Sequence, residues 1–503
     1  MSSSKDTRIS RRTPATTQNE IQRGIDKEKN KKVTVRVILV CALILAIVLV
    51  FINTGFFYRT IPALTVANTD YSIADFNFYY INSANDTYSS LYSSYGDYAS
   101  YMLDPQKPYD QQQYSEEATW DDYFTESAQQ NMRAVTLMNI LADNDEEFAL
   151  TAEQEAELEQ LCNAPQEYAD AYKVNVATYL GNVYGRGMNR KTFVENTTDM
   201  YIASCYSSYM LDTLEYSDAE IENYYNANRS KIDTVTYRVY EILAETGDDV
   251  DAEQALADAE AAAQALVDGA DSLENFEALV AEYEKENELE FGVGGGTYAK
   301  YSYVENYPYA SWLYDATRVS GDVTVIANES ETGYYAVYFD SFDTLDYPFI
   351  DIRHMVVYAE EDAETGEISD AAMADALTQA EAILDEWKSG AATEESFVEV
   401  YEKYAAEGMV TGSHISELYH GSTNTIPFEE WCFDEARQPG DCDIVELAYG
   451  YHIIYFVGYG ENARNAKVVD AMASEEYDAW LTENIAQYPA VLRKFGYYFT
   501  RDF

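Results

Sequence analysis

Two histidines near the C-terminus are the residues whose type and position could form a reactive site. The chain has only four histidines. His354 lies in the stretch Ile-Arg-His-Met-Val-Val and His452 in Gly-Tyr-His-Ile-Ile, and both stretches predict β-strands. If the two strands are neighbours in one sheet, the imidazoles meet across the ladder. A lone strand histidine is most often structural, whereas a pair on adjacent strands could form a site, so both interpretations stay open.

An internal repeat supplies the elements that position these histidines. The segment PYASWLYDATRVSGD at residues 308–322 aligns without gaps with PFEEWCFDEARQPGD at residues 427–441. Agreement of spacing and residue type predicts two copies of one domain, at residues 233–343 and 345–460. Each copy is predicted to be an α+β unit with helices on an antiparallel sheet, in the order strand, helix, helix, short helix, strand.

The second copy resembles a parvulin-type prolyl isomerase domain. The resemblance lies in the opening Arg-His-Met-Val-Val strand, a Gly-ended helix, a Phe-containing helix, a Gly-Asp turn and the closing Gly-Tyr-His-Ile-Ile strand, and covers residues 345–459. Upstream, the run SDAEIENYYNANRSKID is similar to the segment that leads into the isomerase domain of the PrsA and SurA foldases. The chain therefore resembles a membrane-anchored member of the PrsA/SurA family with two parvulin-like repeats.

This resemblance implies roles for five residues. His354 and His452 would be the paired histidines of the catalytic site, and Phe428 would line the proline pocket. Glu407 falls where the family has a Cys or Asp facing the substrate amide, and Asn424 falls where an apolar residue of the proline pocket is expected. The implied mechanism is non-covalent, because rotation about an X-Pro bond needs only that its barrier of ~20 kcal/mol be lowered. It needs no metal, nucleotide or other cofactor.

The first copy is predicted to be catalytically silent. Glu241 aligns with His354, and Tyr335 aligns with His452, so both imidazoles are absent from this copy. It would be retained for structure or for binding client proteins. Its glycine-rich run at residues 292–296 is predicted to be a mobile loop, because it lacks the strand-to-helix context of a phosphate-binding loop.

The N-terminus predicts a membrane anchor. Residues 1–36 contain ten Lys or Arg against four Asp or Glu, and residues 37–57 contain no charged residue. Twenty-one such residues are long enough to cross a bilayer as a helix. The basic flank then places residues 1–36 in the cytoplasm and residues 58–503 outside, as in a single-pass cell-membrane protein. A cleaved signal peptide is the alternative, although no Ala-x-Ala-like site follows the apolar run.

Charge and cysteine content restrict the partners. The net charge of −57 argues against nucleic acid and anionic lipid surfaces as partners. No CxxC spacing supports a zinc site. Pairing of Cys162 with Cys205, or of Cys432 with Cys442, stays open, and so does a homodimer. The 47 tyrosines fit amphipathic helix packing, and any surplus at the surface would suit aromatic-rich unfolded clients.

The remaining chain predicts a helical domain and a terminal helix. Residues 60–232 carry helical patterns, with Tyr88–Glu117 as a long loop, and residues 466–503 form a last helix. The resemblance implies that this helix completes a SurA/PrsA-like chaperone domain. We expect an extracytoplasmic isomerase coupled to a chaperone, acting on unfolded or newly secreted polypeptides with X-Pro bonds. The alternatives are a non-catalytic holdase with two inactive parvulin-shaped modules, and an unrelated adhesin or assembly factor.

Overall fold

The chain has an α+β fold with three small antiparallel sheets, which confirms the predicted α+β class and the antiparallel sheets. It divides into two compact units. One comprises the described residues up to Leu214 together with those from Glu476 onward, and the other comprises Glu215–Glu475. The computed structural model describes residues 31, 35, 37–45, 54–247, 250–362, 365–423 and 425–500.

The predicted membrane anchor at residues 37–57 falls only partly within this description. Residues 37–45 are helical, and the description resumes at residue 54. Residues 46–53 and most of the predicted tail at residues 1–36 lie outside the described residues. In the part of the chain that the structure describes, no helix combines the length and the apolar character that crossing a membrane requires. The anchor therefore stays a prediction.

The strands and helices from residue 54 onward have the following bounds. The strands are β1 Pro62–Val66, β2 Thr69–Ser72, β3 Thr234–Leu243, β4 Gly294–Ala299, β5 Val323–Ala327, β6 Gly333–Asp343, β7 Pro348–Tyr358, β8 Thr411–Leu418, β9 Cys442–Leu447, β10 Gly450–Asn462 and β11 Ala490–Leu492. The helices are α1 Phe56–Thr60, α2 Ile73–Tyr95, α3 Ala99–Met102, α4 Trp120–Asn144, α5 Ala152–Ala171, α6 Val176–Tyr184, α7 Arg190–Asp212, α8 Asp218–Ala227, α9 Arg229–Ile232, α10 Ala252–Gly269, α11 Leu273–Asn287, α12 Tyr301–Val304, α13 Ala310–Leu313, α14 Asp370–Ser389, α15 Glu394–Ala406, α16 Ile426–Cys432, α17 Ala463–Ile485 and α18 Lys494–Tyr497.

The N-terminal unit combines long helices with a three-stranded sheet in the order β11-β1-β2. Ser72 starts α2 with a capping box, in which its hydroxyl accepts from the Asp75 amide while the Asp75 carboxylate accepts from the Ser72 amide. The aromatic residues Phe76, Tyr79 and Tyr80 of this helix are almost completely buried. Their burial removes large apolar rings from water and so stabilises the unit.

Three predictions for this unit are wrong in part. Residues 60–232 are not all helical before the repeats, because β1 and β2 precede α2. The predicted loop at Tyr88–Glu117 begins with the last two turns of α2 and also contains α3. The predicted helix at residues 466–503 ends at Ile485, and the chain continues as β11, which pairs antiparallel with β1.

The two repeats have the same sheet topology, β4-β3-β6-β5 in the first copy and β8-β7-β10-β9 in the second. In both, the first and last predicted strands form the central antiparallel pair, with long helices packed on one face and short helices on the other. The predicted order lacked the outer strands. The run at residues 292–296 is likewise not simply a loop, because β4 starts at Gly294.

Glycine at position 295 is required by the close approach of β4 to β3. Gly295 has a φ of +123°, and a Cβ there would lie 2.4 Å from the Tyr237 carbonyl oxygen. The glycine-rich sequence therefore permits a tightly packed outer strand.

The strand registers show which positions of the two repeats are equivalent. His354 lies opposite Ile454. The ungapped closing strands match Ile454 with Val337, and Val337 lies opposite Val239. Val239 therefore occupies the position of His354, and the predicted equivalence of Glu241 with His354 is wrong by two residues.

Candidate functional site

The two histidines of the second repeat lie side by side on its central strands. His354 is on β7 and His452 is on β10, and these strands are antiparallel neighbours. Because His354 pairs with Ile454 and His452 pairs with Val356, the two side chains are diagonal neighbours on one face. Their ring centroids are 5.2 Å apart, and their planes are parallel within 1°. The patterns of the two strands predicted this meeting across the ladder if the strands were neighbours.

Each imidazole is held by a hydroxyl through its Nε2 atom. His354 Nε2 and the Ser413 Oγ on β8 share a hydrogen bond of 3.0 Å. His452 Nε2 and the Tyr449 hydroxyl share another of 3.0 Å. The Nδ1 atoms of both rings are buried and have no hydrogen-bond partner among the described residues. Because a hydroxyl can either donate or accept, the two bonds orient the rings and are compatible with either imidazole tautomer.

Phe428 covers both imidazoles with one aromatic ring. It lies on α16, whose first turn contains Pro427, a residue that favours a helix start because its φ is already helical. The Phe428 ring meets His354 at 5.5 Å and His452 at 5.3 Å between centroids, edge-on in both cases. Phe428 is 2% exposed and packs in the same apolar cluster as Ile454. The imidazole pair therefore has an apolar wall on one side.

Burial keeps both histidines neutral. It lowers the pKa of His354 from 6.5 to about 4, because the charged imidazolium loses its hydration in this cluster. The pKa of His452 also falls to about 4, mainly through burial and further through the neighbouring His354. At neutral pH both imidazoles are therefore uncharged.

Of the two other residues expected at the site, the structure describes only Glu407. Glu407 is exposed at the C-terminal end of α15, and no contact with either imidazole is found for it among the described residues. The polar side chain that contacts His354 is instead Ser413, on a strand that was not predicted. Asn424 lies outside the described residues. No role was predicted from the sequence for Ser413 or Tyr449.

Tyr449 also borders an open cavity, whose lining includes neither imidazole and does not include Phe428. The cavity has a volume of about 700 Å³ and is lined by Thr425, Ile426, Leu447 and Tyr449 among others. This volume is within the usual range for a small-ligand site. Tyr449 therefore connects the cavity with the hydrogen-bonded imidazole of His452.

The equivalent position of the first repeat contains no imidazole. Val239 replaces His354, Tyr335 replaces His452 as predicted, and Tyr309 matches Phe428 in the ungapped alignment. These side chains cannot form an imidazole pair, so we expect the first repeat to have a different function at this position.

Metal and thiol chemistry have little basis in the described residues. Within them, no group of three or more His, Cys, Asp or Glu side chains could hold a metal ion. The cysteine pairings left open by the sequence are not formed, since all five cysteines are free. Burial raises the pKa of the thiols of Cys432 and Cys442 to about 12, so both are protonated at neutral pH.

Comparison of the chain with models of known protein families gave no match, and comparison with curated proteins also gave none.

Proposed function

We propose that this chain is an extracytoplasmic protein-folding factor of the parvulin type, similar to PrsA and SurA, whose second repeat catalyses cis–trans isomerisation of X-Pro bonds. The observation that supports this proposal is the neutral imidazole pair, packed against Phe428 and held by two hydroxyls. Its substrates would be unfolded or newly secreted polypeptides, and residues 37–57 would anchor it in the cell membrane.

The proposed mechanism uses the low polarity of the site. A planar X-Pro amide is stabilised by resonance that separates charge between nitrogen and oxygen, and this separation is lost when the bond is twisted. An apolar surface therefore disfavours the planar ground state relative to the twisted transition state. The uncharged imidazole of His354, which is half-buried, would present that surface, backed by the almost completely buried His452 and Phe428. Ser413 and Tyr449 would hold the two rings in place.

The N-terminal unit, called the helical unit from here on, is proposed to bind client chains. Two cavities of about 540 and 270 Å³ share Asn82, Asp86, Met200 and Ser204 in their linings, so they are adjacent. Several tyrosine and phenylalanine rings line the larger one. Aromatic linings of this kind suit the apolar side chains that an unfolded polypeptide exposes.

A non-catalytic holdase is the second candidate function. It is favoured by the replacement of both imidazoles in the first repeat and by the exposed position of Glu407. The two candidate functions differ in whether the imidazole pair raises the rate of X-Pro isomerisation.

A protease-coupled isomerisation assay on the full chain tests the proposal. We expect His354→Ala and His452→Ala each to lower kcat/KM, and the double substitution to lower it by at least about tenfold, or roughly 1.4 kcal/mol of transition-state stabilisation. His414→Ala is the matched control, because His414 lies on the neighbouring β8 and bonds to Asp351 rather than to the pair. A wild-type rate no higher than that of the double variant would leave only the holdase.

A further inference from the structure

We infer that the first repeat carries a separate binding site, a tyrosine-lined groove that takes an arginine side chain of an extended polypeptide. The site lies at the position that the imidazole pair occupies in the second repeat, and it does not depend on isomerase activity. Three features support it: a cavity, the arrangement of three tyrosine rings, and two carboxylates that have no cationic partner among the described residues.

The groove exists because small residues replace larger ones. Val239 stands where the second repeat has His354. Across the ladder, Val239 faces Gly294, whereas His354 faces Ser413. With less side-chain volume on both strands, a cavity of about 760 Å³ opens over Val239 and Gly294. This is enough for a side chain together with parts of its neighbours.

Three tyrosines give the groove two aromatic walls at right angles. The rings of Tyr307 and Tyr309 stack with their centroids 5.1 Å apart and their planes within 9°. The Tyr335 ring is edge-on to both, at interplanar angles of 89° and 84°. All three line the cavity. A cation is attracted to the negative face of such rings, and a guanidinium can also stack on them.

Two carboxylates without a cationic partner belong to this site: Glu241 lines the cavity, and Glu329 lies outside its lining but is bonded to Tyr335. Glu241 is directly opposite Tyr335 in the sheet, and its Oε1 accepts a hydrogen bond of 2.9 Å from the neutral amide of Asn328. Glu329 accepts a hydrogen bond of 3.0 Å from the Tyr335 hydroxyl. Within the described residues, neither carboxylate forms an ion pair with a Lys or Arg side chain. A guanidinium would complement both the rings and the two negative charges.

The surroundings fit an extended polypeptide better than a free small cation. Phe291, Leu243 and Tyr303 also line the groove, and their side chains are 78%, 61% and 70% exposed. Apolar surface therefore continues beyond the three stacked and edge-on tyrosines. Beside them, β4 is an outer strand of its sheet, so one edge of its backbone is unpaired within that sheet. An added strand could pair with the backbone groups of that edge.

The test compares two labelled ten-residue peptides of serine and alanine with one central Tyr-Arg or Tyr-citrulline pair. Citrulline keeps the shape of arginine without its charge. By fluorescence anisotropy, we expect the full-length chain to bind the arginine peptide at least about fivefold more tightly at low salt. Equal affinity for the two peptides would overturn the inference without any variant being needed.

Variants then locate the site. Glu241→Gln and Glu329→Gln, singly and together, should reduce the arginine preference and leave citrulline binding unchanged. The matched control is Glu282→Gln, because Glu282 is exposed on α11, does not line the groove and has no hydrogen bond to its three tyrosines among the described residues, while the change in net charge is the same. An equal loss in the control would mean that the peptide binds the acidic surface at large, and would refute the site. The His354→Ala/His452→Ala chain should keep the preference even if the proposed isomerase activity fails.

Discussion

The chemistry of the second repeat depends on keeping two imidazoles uncharged. His354 and His452 contact each other and Phe428, and their hydrogen-bond partners are the neutral hydroxyls of Ser413 and Tyr449. No carboxylate is bonded to either ring among the described residues, so no ion pair offsets the loss of hydration on protonation. Protonating one ring also disfavours protonation of the other, which adds to the downward shift of the His452 pKa.

The protein should therefore lose stability as the pH falls. The pKa of each histidine is about 4 when folded and 6.5 as the ordinary value, so the unfolded chain binds more protons between these limits. The full contribution to the free energy of unfolding is present above pH 6.5 and declines as the pH falls towards 4. NMR titration of the imidazole carbon-bound protons should give midpoints well below 6.

A variant separates this effect from the titration of other groups. Denaturant unfolding at pH 7 and pH 5 should show a smaller decrease in the His354→Phe chain than in the wild type, since one of the two groups has been removed. Midpoints of 6 or higher for both rings would contradict the neutral pair.

The sequence was sufficient for the main residues of this site but not for their partners. His354 and His452 could be placed together because both lie in long apolar stretches that predict the central strands. Ser413 could not be identified, because its contact depends on the register of β8, a strand with mostly exposed or half-exposed residues. Glu407 was assigned by counting along the chain, which does not account for where α15 ends.

At the level of elements, the sequence likewise predicted some strands and missed others. The central strands β3, β6, β7 and β10 are long and buried, and their patterns predicted them. Strands β1, β2 and β11 have only three to five residues, and β1 pairs with a segment near the other end of the chain, so no local pattern reveals them.

One signal in the sequence could have corrected the comparison of the repeats. Arg238 directly precedes Val239, and Arg353 directly precedes His354. Arg238 forms an ion pair with Glu277 on α11, and Arg353 forms one with Glu394 on α15. Aligning these two arginines would have matched Val239 with His354. The prediction instead gave Glu241, whose carboxylate belongs to the tyrosine-lined groove.

The short helix α18, which follows β11, should be sensitive to one added methyl group. Gly496 lies on α18, directly after the strand region, and a Cβ there would lie 2.0 Å from the carbonyl oxygen of Pro62 on β1. Because that neighbour is backbone, Gly496→Ala should displace the segment from β1 and destabilise the helical unit by more than about 2 kcal/mol, as overpacking does. Thermal unfolding and hydrogen exchange of residues 62–66 would measure this.

Gly181→Ala is the matched control in the same unit. Gly181 lies inside α6, and a Cβ there would meet nothing within 4 Å. Alanine has the higher helix propensity, so this variant should be neutral or more stable by up to about 1 kcal/mol. Equal effects of the two substitutions would show that the contact with Pro62 does not constrain the unit.

At the level of the whole molecule, the helical unit is discontinuous in sequence. Its last part begins at residue 476, after both repeats, and its strand β11 pairs with β1 near the start of the chain. Arg493 Nε donates to the Thr65 hydroxyl, and Arg133 donates to the carbonyl oxygens of Ile485 and Tyr488. These long-range contacts make the stability of the helical unit dependent on the C-terminal segment, whereas the imidazole pair lies within Glu215–Glu475.

Removing residues 476–503 should therefore separate the two proposed activities. The truncated chain loses β11, and with it the pairing of Leu64 with Leu492 and the bond from Arg493, so the remaining helical part should unfold more readily. We expect it to lose suppression of client aggregation, measured by light scattering of a chemically unfolded protein, while it keeps the depressed pKa values of His354 and His452 in an NMR titration. The full-length His354→Ala/His452→Ala chain should behave in the opposite way, suppressing aggregation as the wild type does without accelerating isomerisation. If the truncated chain still suppresses aggregation fully, client binding does not reside in the helical unit, and the tyrosine-lined groove of the first repeat becomes the site to test for it.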